Sequence, residues 1–208
     1  MKKLALLLAM TLPLGMMAAE YTKDMKKAMK AFQQAESVAD FVQTSNMFSE
    51  IASANPDEWE AAYYETFCLV SAGFDAAEFG EKEGYLDKAE GQIESMMAKW
   101  KGNAELWTLK GMYFCARLMA DFRRATSLSP KIAGCAQEAL RLDATNPRAK
   151  FLKISNDIGL AEFMGRDTAP NCQEAKTVLE NFDSYKVTND WSPQWGKEQL
   201  EGIINGCK

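Results

Sequence analysis

Few side chains in this chain can do chemistry, because its 208 residues include no histidine. Imidazole metal ligands, Ser-His and Cys-His nucleophiles and every histidine acid–base step are therefore excluded. Carboxylates, lysines, hydroxyls and five cysteines remain. Acids stand together at Asp57 with Glu58 and at Glu81 with Glu83. General-acid work would need one of each pair buried so that its pKa rises, and their neighbours in sequence are polar. Ser184-Tyr185-Lys186 could supply a hydroxyl–lysine dyad, but so short a spacing arises readily by chance and falls at an expected helix end. An enzyme using these carboxylates or Ser–Lys groups is the alternative reading. A non-catalytic binding protein is the leading one, with no metal site and no cofactor expected, since there is neither a CxxC pair nor a histidine to build one.

Whatever function these groups have, helices must position them. Alanine occurs 29 times against 5 valines and 7 isoleucines, and β-branched residues are what half-buried sheets prefer. An all-α chain is expected. With 47% hydrophobic and 25% charged residues, it has enough apolar surface for a sizeable core. Five of the six prolines fall at Asn55-Pro56, Ser129-Pro130, Asn146-Pro147, Ala169-Pro170 and Ser192-Pro193. Proline is tolerated at the first helical position and Asn or Ser caps it well, so each pair reads as a helix start. Helical spacing of apolar residues places helices near 22–35, 38–54, 57–73, 85–100, 104–122, 130–143, 147–163, 171–184 and 194–206.

The first nineteen residues read as an address. Lys2 and Lys3 precede an apolar run from Leu4 to Leu14, followed by Gly15, Ala18 and Ala19, the layout of a secretory signal peptide. Cleavage is expected after Ala19, leaving 20–208 as one domain. The run is shorter than the ~20 residues a bilayer crossing needs, and the first cysteine, Cys68, is far from the cleavage point, so no acyl anchor is expected. A periplasmic or secreted location follows. Losing Lys2 and Lys3 leaves 22 basic against 29 acidic side chains, which disfavours nucleic acid, whose binding relies on basic surface. Lys23, Lys26, Lys27 and Lys30 give helix 22–35 a basic face that could meet anionic lipid. Its apolar stripe is rich in Ala and Met and lacks the large residues that insert into bilayers, which argues for a solvated capping helix instead.

Five cysteines in an exported chain leave at least one unpaired within the monomer. The preferred bridge is Cys172–Cys207, closing a loop of about 36 residues worth on the order of 3–4 kcal/mol. Cys115–Cys135 is the other candidate, and Cys68 reads as a small core residue.

An internal spacing organises the helices. Asn55, Asn103 and Asn146 lie 48 and 43 residues apart, each followed by a long helix, a connector and a second helix. Ala139-Leu140-Arg141-Leu142-Asp143-Ala144-Thr145-Asn146-Pro147 resembles the end of one tetratricopeptide repeat running into the next. Trp107, Gly111 and Phe114 match the first-helix pattern of that family, and Ala89, Ile93 and Met96 the second-helix pattern. Tyr63 stands where Gly is expected, and Lys150 and Ile154 depart from the pattern in the third unit. The excess over a ~34-residue repeat is assigned to turns at 74–84 and 121–129. The mature chain is also similar, over roughly residues 22–208, to a family of exported tetratricopeptide-like proteins of Bacteroidota. That similarity rests on the helical pairs, on Asn146-Pro147-Arg148-Ala149, and on the tail from Ser192-Pro193-Gln194-Trp195 to Gln199, ending near Cys207.

The resemblance implies a right-handed α-solenoid of about three to four helix pairs with a C-terminal capping helix, whose first helices line a concave trough for a protein or peptide partner. Carried across residue by residue, it puts Asp57, Glu60 and Tyr64, then Glu105, Thr108 and Met112, then Arg148, Phe151 and Ser155 on that face. The trough would be acidic at one end and basic at the other, with Tyr64 and Phe151 as anchors. The alternative is an ordinary solvated helix face. Trp59 and Trp107 read as inter-helix core at matching places, Gly111 as a close helix crossing, and Trp191 with Trp195 as a cover for the open end of the array.

Overall fold

The computed structural model describes residues 14–207, and among them every regular element is helical. Nine α-helices follow one another: α1 (Leu14–Gln33), α2 (Val38–Ala54), α3 (Trp59–Asp75), α4 (Phe79–Lys99), α5 (Ala104–Ala120), α6 (Ala125–Leu142), α7 (Pro147–Phe163), α8 (Ala169–Glu180) and α9 (Lys197–Gly206). Short 3₁₀ turns sit at Phe122–Arg124 and Phe182–Ser184. Residues 1–13 of the expected signal peptide lie outside the described residues, and α1 runs through Ala19 without a break.

Capping explains where several helices begin. Ser37 and Asp40 form a reciprocal capping box at α2. The Asn103 side chain accepts from Glu105 N at α5, and Asn146 accepts from Arg148 N and Ala149 N at α7 with Pro147 in the first turn. Other proline pairs behave differently. Asn55 ends a helix instead of starting one: its backbone and side-chain N–H groups both return to Ile51 O, and α3 begins three residues after Pro56, at Trp59. Pro130 lies inside α6, because the Phe122–Arg124 turn, capped by Asp121, leads directly into a helix at Ala125. Pro193 belongs to a loop, and α9 waits for Gly196, whose φ of +114° only glycine adopts readily.

Consecutive helices pack on one another, while α5 also touches both α3 and α7, so that these three form an inner row. The result is an all-α array of stacked helix pairs closed by α9, the expected class. The extra length over a short repeat is not loop: residues 79–84 form the first turns of the 21-residue α4, and α6 starts before Pro130. Two clusters make the core, one around Phe48, Tyr63, Leu86 and Leu109, the other around Leu152, Ile154, Ala175 and Leu200. Met112 and Trp195 pack on both. Gly111 serves a close crossing, since a Cβ there would lie 2.5 Å from Leu152 Cδ1 of α7 and 3.4 Å from Cys135 Cβ of α6. Cys172 of α8 is joined by a disulfide to Cys207, which follows α9, with Cα atoms 6.1 Å apart. The other three cysteines are free.

Candidate functional site

The late start of α3 shifts the register of the inner face. Counting from each helix start, Glu60, Glu105 and Arg148 are second residues, Tyr63, Thr108 and Phe151 fifth, and Phe67, Met112 and Ser155 ninth. In the first unit the matching positions are therefore Glu60, Tyr63 and Phe67, three residues on from Asp57, Glu60 and Tyr64. Asp57 stands outside the helix, exposed and bonded to Lys99 Nζ at 3.0 Å. Trp59 and Trp107 are likewise not equivalent, being first and fourth residues of their helices.

The chain's own C-terminal segment lies across this face. Glu60 Oε1 accepts from Asn189 Nδ2 at 2.6 Å, Tyr64 donates to Ser192 O at 3.4 Å, and Trp195 Nε1 donates to the Tyr63 hydroxyl at 2.7 Å. The Trp195 ring meets Phe67 and Phe151. Glu105 is buried and accepts from Arg148 Nε at 2.7 Å, Arg148 Nη2 at 2.5 Å and Asn146 Nδ2 at 2.6 Å. Arg148 is 1% exposed, with its guanidinium 5.1 Å from the centre of the Tyr185 ring. Burial opposes the Arg148 charge, but the Glu105 hydrogen bonds and charge outweigh it and raise the pKa. Burial first, then Glu105, pushes Tyr63 well up. Thr108 is buried and donates to Glu105 O, Met112 and Ser155 are half-buried, and Phe151 is buried. Glu60, Tyr64, Glu105, Thr108, Arg148 and Phe151 thus face the protein's own interior. Trp191 and Trp195 lie against the inner face beside α1 and α3, not over the open end of the array.

Three openings remain near these elements. One, of about 590 Å³, lies between the α4–α5 turn and Tyr185–Ser192, with Trp59, Trp100 and Arg148 in its wall. A second, of about 410 Å³, separates α1 from the inserted segment and is walled by Met29, Phe32, Tyr64, Trp191 and Trp195. A third, of about 530 Å³, lies between α4 and α6 over Trp107 and Phe114 of α5. Outside them, large apolar side chains are exposed at the turns joining paired helices: Phe79 (48%), Phe122 (71%) and Phe163 (85%), with Met119 and Met164 beside them.

The sequence candidates for catalysis are not assembled. Ser184 Oγ donates to Asn181 O at 2.6 Å and Tyr185 to Asp143 Oδ2 at 2.7 Å, so neither hydroxyl serves Lys186. Glu83 pairs with Arg117 and Arg124, while Glu81 is exposed. Burial pushes the thiols of Cys115 and Cys135 up to about 12 and about 11, away from thiolate chemistry. Sequence reasoning missed Tyr63, Phe67 and Asn189. Tyr63 reads in the sequence as a departure from the repeat pattern, and the signal that places it is the polar run Asn55–Glu58 ahead of Trp59.

Fold and face together define an array of helical pairs whose inner face is covered by the chain's own C-terminal segment. No family model matches the chain, and no curated protein is significantly similar to it in sequence. Among solved structures, the HusA haemophore from Porphyromonas gingivalis superposes with a TM-score of 0.78 over 90% of this chain and 92% of that one, at 22% identity. At that identity the likeness establishes a shared fold. No helix among the described residues is long and apolar enough to cross a membrane.

Proposed function

We propose that this is a non-catalytic, exported binding protein that carries a haem-like ligand. The observation that carries the reading is the near full-length superposition on a haemophore. The interior agrees with it, because the inner-face titratable groups are tied up in structural pairs and the remaining openings are walled by aromatic rings. With no histidine in the chain, imidazole cannot hold the iron, so ring faces and carboxylate contacts must supply most of the affinity. Hemin added to the purified protein should quench tryptophan fluorescence saturably at one equivalent and sharpen the hemin absorbance band. A linear, unsaturable response matching that of an unrelated helical protein would refute the reading.

A protein or peptide partner is the second reading. It is favoured by the exposure of Phe79, Phe122 and Phe163 at the α3–α4, α5–α6 and α7–α8 connections, large apolar side chains that a partner would cover. In-cell crosslinking should then place partner peptides at positions 122 and 163. Crosslinks confined to the inner face would count against it.

A further inference from the structure

The openings differ in whether their polar and aromatic groups are free. Over Trp107 and Phe114, the chain's own Lys110 and Lys131 sit 5.7 and 5.3 Å from the ring centres, with Glu90, Glu94 and Glu138 among them. Beside Trp100, Lys99 is held by Asp57 and by Pro56 O and stands 4.8 Å from the indole centre. The slot between α1 and the inserted segment is different. Lys26 and Lys30 lie on its rim one helical turn apart, exposed, and in no ion pair among the described residues. The opposite lip offers a single acid, Asp190.

Its walls are firm on two sides. Phe32 packs edge-on against Tyr64 and Phe67, and Trp195 is fixed by Tyr63, Phe67 and Phe151. Trp191 is set at the mouth by its backbone, whose N–H donates to Asn189 Oδ1 at 2.8 Å, and by the Ser192 hydroxyl, which bridges Thr188 and Asn189. The half-buried indole of Trp191 takes part in no ring pair, and its N–H has no acceptor among the described residues. A slot of about 410 Å³ lies within the size range of small-molecule sites.

Resting on the haem-carrier reading and deepening it, we propose that this slot is the ligand site. It takes a planar aromatic ring system bearing two carboxylates. The ring stacks on Trp191 against the Phe32 and Trp195 walls, and the carboxylates pair with Lys26 and Lys30. Side chains four apart on a helix stand about 6 Å from each other at their Cβ atoms, which suits two acids on one edge of a ring system. Asp190 fixes the orientation by repelling the acidic edge from the other lip.

The test is a fluorescence and absorbance titration with hemin at low and high salt. Trp191→Ala should weaken binding at least tenfold and Trp191→Phe less than threefold. Lys26→Glu with Lys30→Glu should weaken it at least tenfold at low salt and abolish its salt sensitivity, because exposed charge pairs are screened. Lys110→Glu with Lys131→Glu, in the α4–α6 opening, should bind as the parent does. None of the five altered residues is buried, and unchanged circular dichroism and melting temperature confirm folding. If the parent binds hemin and both slot variants match it, the slot is overturned while the carrier reading stands. If the parent shows no saturable binding, both fall.

Discussion

Arg148 keeps a full charge at 1% exposure because three groups answer it: two oxygens of Glu105 and the face of Tyr185. Such a pair is costly to break and cheap to replace, since removing one partner strands the other charge out of water. Arg148→Met should therefore cost about 3–5 kcal/mol in urea unfolding. The double variant with Glu105→Gln should recover much of that loss, because glutamine is neutral and still accepts from Asn146. Equal losses in the single and double variants would show that the guanidinium matters by packing alone. Gly196 makes a second residue-level case. Its φ of +114° at the start of α9 strains any side chain, and Gly196→Ala should cost about 1–2 kcal/mol, read as a lowered melting temperature.

At the level of elements, residues 185–196 cover the inner face of α3 and α7, and the Cys172–Cys207 bridge ties α8 to the residue that follows α9. Titration with a thiol reagent in denaturant should find three thiols without reductant and five with it, matching the three free cysteines. Cys172→Ser with Cys207→Ser should cost about 3–4 kcal/mol. Hydrogen exchange at residues 185–196 should rise before that of α3 or α5, and uniform loss of protection would mean the segment is no separate unit. Much of the helical order was legible in advance: α2 and α7 begin and end where their caps and periodicity put them. The inner face was less legible. Proline marks a position where a helix can start, but the same lack of an N–H suits a turn, as at Pro56, and Pro130 stands inside α6 at the cost of the backbone hydrogen bond it cannot make. That ambiguity moves the first-unit register by three residues, so that the positions expected of Asp57, Glu60 and Tyr64 are held by Glu60, Tyr63 and Phe67. The inserted segment was invisible for another reason: Trp195 meets Tyr63 across a separation of 132 residues, and no local pattern encodes such a contact.

For the molecule as a whole, the inserted segment and the helix packing together hold several weak acids largely out of water. Burial raises the pKa of the phenols of Tyr63 and Tyr64, and it raises the thiols of Cys68, Cys115 and Cys135, the last two to about 12 and about 11. In the unfolded chain, thiols titrate near about 8.5 and phenols near about 10. Each group is therefore neutral in both states at pH 7. As pH climbs past the unfolded values, only the unfolded chain releases protons, so the stability these groups carry is complete below that range and drains away through it. The melting temperature should stay level from about pH 6 to 8 and drop steeply above about pH 9.5. Phenolate absorbance at 295 nm should appear for the buried tyrosines together with loss of the helical circular dichroism signal. If Tyr63 and Tyr64 ionised smoothly while the helices remained intact, solvent would have to enter beneath Trp195. The inserted segment would then be a loosely held strap rather than part of the core.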